Sequence, residues 1–373
     1  MKIALIAPIE ESVPPRKYGG IEWIVYELAH GMGLRGHQVD LYATGDSRKE
    51  KAYSLIPLTP FSLRSDEKFS KNPKMLGVAK IQSAVKAYEM IQKGDYDIVH
   101  NHAGWRFLLF SNLIGGKMLT TLHGRLSVDF EKMIFDSNKN SQYISISNNQ
   151  RRDAPELNYI STIYNGIDID KYPFEEDFKD KEHMVFFARM DSEKGAKEAA
   201  KVAHRTKKKL IVAAKVDTTD EAYFSEFQPL VDGHYVRFVG EVDHETKIKY
   251  YQGSRCLLAP IKWEEPFGLF FTESMATGTP VVTFARGSAP EIIKDGETGF
   301  LVNHSDDDKR GDFIIKKTGI EGLCEAVDRI YSMPADEYKQ MRKNARKHVE
   351  ENFGLGQMID GYEDAYRKIL TKA

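Results

Sequence analysis

Two glutamates flank a Pro-Phe-Gly turn in the segment WEEPFGLFFTESMATGTPVV, Glu265 ahead of it and Glu273 beyond it. Carboxylates accept hydrogen bonds from vicinal diols, so two of them beside a glycine turn suit a polyhydroxylated ligand, where one alone would serve as a helix cap. On a continuous helix this spacing amounts to about two turns plus 80 degrees, so the side chains cannot duplicate one role. One is expected at the mouth of a site and the other deeper along the same side. Pro266 fits the first turn of a helix, which would leave the amides of Phe267, Gly268 and Leu269 unpaired near Glu265.

A second group is cationic. Arg189 closes the apolar run HMVFFARM, and Lys194 follows shortly before Gly195 and a helical run. A planar guanidinium and a mobile ammonium together suit a diphosphate, each charged hydrogen bond contributing about 1.5 to 3 kcal/mol. Two solvated surface cations are the simpler alternative. His100, His102 and His123 fall near the carboxyl ends of predicted strands, the rim at which open α/β sheets bind ligands. His123, in TTLHG with a glycine clearing space beside it, is the one expected to touch substrate. The loop EESVPPRKYGGIEW ends on Gly19 and Gly20 where a helix begins, offering bare amides and a positive dipole end to a phosphate or a polar acceptor. In GSAPE, Gly287 to Glu291 read as a glycine loop and a Ser-x-x-Glu capping box at the same rim. Gly31 to Gly36 match G-x-G-x-x-G, but they end a helix and precede a strand, the reverse of the dinucleotide context. They read as a helix stop.

The elements that must position these groups are short apolar runs alternating with helical patterns. In the first half the runs are KIALIAPI, HQVDLYAT, YDIVHNH, KMLTTLHG, QYISISN and ISTIYNG; in the second, HMVFFARM, KKLIVAAKV, YVRFVGEV, CLLAPIKW, TPVVTFA and TGFLVN. Such runs without strict alternation suit strands covered on both faces, and the helices between them imply parallel βαβ units. Ile21, Ile24, Val25, Leu28 and Met32 form one apolar helix stripe. The segment NGIDIDKYPFEEDFKDKEH, rich in turn residues and charge, reads as a surface linker, with a boundary near residue 175. The tail from about Asp336 is helical in pattern and ends in YEDAYRKIL.

With 373 residues the chain exceeds one ordinary core, and two α/β domains are expected. A net charge of -2 gives no electrostatic footprint for nucleic acid. Cys256 and Cys324 match no metal or disulfide spacing, so two thiols in a reducing cytoplasm and no metal site are expected. The N-terminus lacks a secretory pattern, and WRFLLFSNLIGG, the most apolar stretch, is shorter than the ~20 residues of a membrane span. It is expected as a core helix.

These motifs resemble the retaining glycosyltransferases of sequence family four. The likeness runs through YGGIE, DIVHNH, TLHG, YNGID, FARMDSEKG, FVGEVDHETK, WEEPFGLFFTESMATGTPVV and GSAPEIIKDGETGFLV, nearly the whole chain. It implies a GT-B fold: two Rossmann-like doubly wound parallel-sheet domains facing a central cleft, residues 1–175 on the acceptor side and 176–355 binding the nucleotide sugar. A final helix, 356–373, would cross back to the first domain, with hinges near residue 170 and before that helix. By motif, Arg189 and Lys194 would bind the donor diphosphate and stabilise the leaving group. Glu265, with the backbone of Phe267, Gly268 and Leu269, would hold the sugar hydroxyls, and Glu273 the ribose diol. Val242 and Lys247 match positions around the base. Gly20 would approach the phosphates, and His123 would sit beside sugar and acceptor; His102 falls in a matching motif without an assigned role.

The resemblance further implies hexose transfer with retention and without a metal cofactor. The donor would be a nucleotide-diphosphate sugar, UDP-hexose before GDP-mannose. The acceptor would be a sugar, a lipid-linked or a small-molecule hydroxyl, in polysaccharide, glycolipid or glycoside synthesis. A peripheral membrane contact is compatible with this, an integral segment is not expected. Two alternatives stay open on the residues: a nucleotide-sugar epimerase of the same architecture, which needs no acceptor, and a non-catalytic two-domain sugar-binding protein, which would release no nucleotide diphosphate.

Overall fold

The computed structural model describes residues 1–16, 19–176, 182–216 and 220–371. Lys17 and Tyr18 of the glycine loop, part of the charged linker (177–181) and the last two residues of the tail lie outside the described residues. The chain divides into two compact units, Met1–Gly166 with Leu355–Ala373, and Ile167–Gly354. The division falls near the start of the segment read as a linker, ahead of the boundary expected near residue 175. Ile167 donates its amide to Phe353 O at 2.9 Å, so the segment entering the second unit is hydrogen-bonded to the one leaving it.

The first unit carries strands β1 (Lys2–Ile6), β2 (Gln38–Thr44), β3 (Ser54–Thr59), β4 (Ile98–Asn101), β5 (Met118–Leu122), β6 (Gln142–Ser145) and β7 (Tyr159–Thr162). They form one sheet in the order β3-β2-β1-β4-β5-β6-β7, every pair parallel. Its helices are α1 (Gly20–Leu34), α2 (Glu67–Ser70), α3 (Pro73–Ile91), α4 (Trp105–Leu108), α5 (Ser111–Ile114) and α6 (Asp129–Ser137). In the second unit, β8 (His183–Arg189), β9 (Lys209–Lys215), β10 (Val236–Phe238), β11 (Ser254–Ala259), β12 (Val281–Phe284) and β13 (Gly299–Val302) pair in parallel in the order β10-β9-β8-β11-β12-β13. Around them lie α7 (Ala196–Thr206), α8 (Glu221–Phe227), α9 (His244–Gly253), α10 (Leu269–Ala276), α11 (Ala289–Ile292), α12 (Gly319–Ser332) and α13 (Ala335–Asn352). The last helix, α14 (Leu355–Leu370), returns to the first unit.

Central strands are buried along their whole length, as in Met118–Leu122 and Val281–Phe284, because helices cover both faces of a parallel sheet. The core of the second unit centres on Phe186, Val212, Leu258, Val282 and Leu323; that of the first on Ile6, Val99, Leu122 and Tyr143. Helix α1 buries Ile24, Val25, Leu28 and Met32 of the expected stripe, while Ile21 is half-buried. It runs through Gly31 and Gly33 before stopping. Gly31 is where α14 packs: a Cβ there would meet Ile359 Cδ1 at 2.1 Å. Arg35 anchors the same helix pair through Asp360 at 2.5 Å and Glu363 at 2.8 Å.

Two expectations need correction. The run SLIPLT, not among the strands expected, is the edge strand β3, where the missing amide of Pro57 is tolerated. The stretch WRFLLFSNLIGG is not one core helix but the short pieces α4 and α5. Phe107 and Leu108 are buried, whereas Leu109 and Leu113 face solvent. No described helix is long and apolar enough to cross a membrane.

Candidate active site

In each sheet the strand order reverses direction beside the first strand, between β1 and β4 and between β8 and β11. Connections leave opposite faces there, opening a crevice outside the carboxyl ends of the strands. Gly19 and Gly20 follow β1, and His100 and His102 lie at the end of β4; Arg189 and Lys194 lie at the end of β8, and Glu265 follows β11.

In the second unit, Arg189 is the last residue of β8, and Lys194 lies on the turn into α7. Glu265 follows β11. The two loops are tied together where Lys262 N donates to Glu193 O at 2.8 Å. Lys194 Nζ donates to Glu265 Oε2 at 2.5 Å, and both side chains are about nine-tenths buried. Trp263 Nε1 donates to the same oxygen at 3.1 Å, and its ring lies under the ammonium at 4.6 Å. A buried ion pair of this kind persists only where further hydrogen bonds satisfy it. Arg189 Nη2 bonds Asp191 Oδ2 at 3.0 Å and is more exposed. Both cations therefore stand beside carboxylates.

Glu273 lies in the second turn of α10 and is held on three sides. Its Oε1 accepts from Lys247 Nζ at 2.7 Å and from Tyr172 Oη at 3.1 Å; Oε2 accepts from Tyr251 Oη at 3.1 Å. Burial pushes its carboxyl pKa upward, but the Lys247 charge and these donors outweigh burial and hold it below the ordinary value. Tyr251 moves well upward through burial and the Glu273 charge, and so stays a donor. Lys247, expected near the base, thus meets Glu273, both in this unit. Val242 is half-buried in the loop before α9, next to Asp243, whose side chain caps that helix.

The two glutamates do not share a helix. Helix α10 starts at Leu269 with Gly268 as its N-cap, so Pro266 precedes it and Glu265 sits in the loop. The first amides of α10 do lack an intrahelical acceptor, as every helix start does. Nor does GSAPE form a capping box: α11 has four residues, and Ser288 makes no side-chain cap bond. The segment instead holds the Glu265 loop. Gly287 N donates to Glu264 Oε2 at 2.8 Å, Ser288 N to Glu265 O at 2.9 Å and Ser288 Oγ to Phe267 O at 2.7 Å. Gly287 has φ 58°, and a Cβ there would lie 2.3 Å from both Glu265 N and Glu265 O. Only glycine allows the two loops to touch.

In the first unit, Gly19 caps α1 and Gly20 opens it, at the carboxyl end of β1. Glu22, in that first turn, is buried, and burial pushes its pKa up to about 7. His100 ends in the buried register of β4, and His102 and His123 follow β4 and β5. His102 Nδ1 lies 2.8 Å from His123 Nε2, and its Nε2 lies 3.2 Å from His100 Nδ1. Burial lowers all three, His123 to about 4 and the other two well below the ordinary histidine value, so the rings are neutral near pH 7. Among the described residues no group of three His, Cys, Asp or Glu side chains is placed to hold a metal.

Tyr172, Tyr251, Trp263, Asp191 and Glu22 complete these sites and were not singled out beforehand. Their only signal in the sequence is adjacency to a motif; the tyrosines have none, being brought in by folding.

Two doubly wound parallel sheets define the two-domain Rossmann-like architecture of GT-B glycosyltransferases. Family profiles agree. Residues 168–348 match glycosyl transferases group 1, and residues 18–171 match glycosyltransferase family 4. An uncharacterized glycosyltransferase of Methanocaldococcus jannaschii is 27% identical, with 98% of each chain covered. Sucrose-phosphate synthase from Thermosynechococcus elongatus superposes with a TM-score of 0.80 at 20% identity over 100% of both chains. An Anabaena protein solved in complex with UDP-glucose does so with a TM-score of 0.71 at 16% identity, again over 100% of both. The chain belongs to the group 1 glycosyltransferases of family four and is an enzyme that transfers sugars.

Proposed function

We propose that this glycosyltransferase moves a hexose from a nucleotide-diphosphate sugar to an acceptor hydroxyl with retention of anomeric configuration and without a metal. UDP-sugar is the favoured donor, in keeping with the UDP-glucose complex of the Anabaena neighbour, and GDP-mannose comes second. The observation that carries the reading is the Lys194–Glu265 pair at the β8/β11 switch point, with the Glu273–Lys247 pair on α10 and α9 of the same unit.

A donor diphosphate would take Lys194 and Arg189 as partners in place of Glu265 and Asp191. Glu265 would then be free to accept from the sugar hydroxyls, and Glu273 from the ribose diol. The acceptor oxygen bonds to the anomeric carbon on the face from which the diphosphate leaves. The carbon–oxygen bond to the diphosphate breaks, and the acceptor proton passes to the departing phosphate oxygen. Cations fixed beside that oxygen stabilise charge that appears only as the bond breaks, which lowers the barrier. Neither glutamate is required as a nucleophile.

The test is release of nucleotide diphosphate from UDP-glucose and from GDP-mannose in excess chelator, by wild type and Lys194→Ala. Wild type should release it undiminished by chelator, and the variant should lose at least a hundredfold, in the range of removing one such stabilising group. Activity restored by magnesium or manganese after chelation would refute metal independence. A Lys194→Ala enzyme within a few-fold of wild type would refute the leaving-group role.

A further inference from the structure

The three histidines of the first unit form one chain that ends on the C-terminal helix. His123 Nε2 meets His102 Nδ1 at 2.8 Å, His102 Nε2 meets His100 Nδ1 at 3.2 Å, and His100 Nδ1 meets Tyr366 Oη of α14 at 2.7 Å. His100 Nε2 meets Thr121 Oγ1 at 2.8 Å. His100 is 0% and His102 2% exposed, so the polar hydrogens here are settled by protein partners rather than by solvent.

The proton order can be worked out from the helix end. Burial pushes Tyr366 well above the ordinary tyrosine value, so its hydroxyl keeps its proton. Among the described residues its Oη has His100 Nδ1 as hydrogen-bond partner, so the phenol donates and Nδ1 carries the lone pair. His100 then holds its hydrogen on Nε2 and gives it to Thr121, whose own hydroxyl donates to Tyr362 Oη at 3.2 Å. With His100 Nδ1 an acceptor, the contact to His102 requires a hydrogen on His102 Nε2. His102 Nδ1 is thereby an acceptor too, and takes the hydrogen of His123 Nε2. Every ring is neutral; the single lone pair of His100 Nδ1 is shared by two donors, the Tyr366 hydroxyl at 2.7 Å and the longer His102 N–H at 3.2 Å. The reverse order would leave the Tyr366 hydrogen without an acceptor in a buried site.

We propose that Tyr366 is a positioning residue: through His100 and His102 it locks His123 in the Nε2–H tautomer, so that His123 Nδ1 accepts a hydrogen bond from a hydroxyl of the bound substrate. The role rests on the reading above that His123 contacts substrate. The C-terminal helix thus contributes to the site without touching the ligand.

Nitrogen-15 histidine spectra of the full-length wild-type enzyme near pH 7 should show His100, His102 and His123 all protonated on Nε2. Any of the three carrying its hydrogen on Nδ1 would overturn the chain, whether or not a variant folds. Tyr366→Phe removes the donor that breaks the symmetry of the chain. It should shift His123 toward a tautomer mixture and lower kcat about tenfold, the worth of one hydrogen bond. The dissociation constant for UDP, which reports the second unit, should stay within twofold. An unchanged His123 spectrum in Tyr366→Phe, or an unchanged kcat despite a shifted spectrum, would overturn the proposal. Failure of the transfer reading itself would appear differently, as wild type that releases no nucleotide diphosphate, and would remove the substrate role of His123 with it.

Discussion

Glu273→Gln is the most informative single perturbation, because the change is nearly isosteric while the demands on the side chain are fully known. The carboxylate accepts three hydrogen bonds, from Lys247, Tyr172 and Tyr251. Glutamine keeps one acceptor oxygen, able to serve two of these donors, and turns the other atom into an NH₂ group. If that amide faces Tyr251, the tyrosine must reverse its hydrogen; if it faces Lys247 and Tyr172, an ammonium is left in a half-buried site without its counter-charge. Either way one to two charge-assisted bonds are lost, at about 1.5 to 3 kcal/mol each. The second unit should be destabilised by about 1.5 to 6 kcal/mol in urea unfolding followed through that unit. UDP affinity should fall by tenfold or more if Glu273 holds the ribose diol. The acid dependence has a definite sign. Glu273 is depressed in the folded state, so its contribution is present at neutral pH and lost as pH falls through its folded pKa; the glutamine variant should lose that dependence. A stability change below about 0.5 kcal/mol would refute the network as described, and unchanged UDP affinity would refute ribose recognition.

Gly287→Ala should force the Glu265 loop away from its position, since the added methyl would lie 2.3 Å from Glu265 backbone atoms. Transfer should fall more than tenfold with UDP affinity nearly unchanged, and a variant with wild-type kcat would show that the loop can shift without consequence. The histidine chain also makes the first unit acid-sensitive. Its folded pKa values lie below the ordinary 6.5, so the unfolded chain takes up protons first and stability falls as pH drops below about 6.5. For His123, with a folded value of about 4, the loss amounts to about 3 kcal/mol by pH 4. Glu22, raised from 4.5 to about 7, acts in the opposite sense over that range, so Glu22→Gln should steepen the decline. Unfolding midpoints that stay level from pH 7 to 5 in that variant would refute the histidine assignment, and a decline no steeper than that of wild type would refute the Glu22 assignment.

The architecture was legible because parallel strands covered on both faces are continuous apolar runs. All twelve runs quoted coincide with strands; the thirteenth strand, β3, carries Pro57 at an edge where the ladder does not need its amide. Glycine-rich turns were legible as turns, but their service was not. Ser288 and Glu291 have the spacing of a capping box, yet helix α11 is too short to need one, and the serine holds the loop of Glu265 instead.

Residue types and spacing alone determined that cations and carboxylates would gather at the carboxyl rim of two α/β sheets, since a side chain at the end of a parallel strand has nowhere else to point. Pairing was decided only by tertiary structure. That Lys194 rests on Glu265, that Lys247 and two tyrosines surround Glu273, and that a tyrosine of the last helix meets His100 depend on distances between residues far apart in the chain. A local pattern carries periodicity and turn chemistry; which buried donor meets which acceptor is fixed by packing, once the sheets and helices have closed over them.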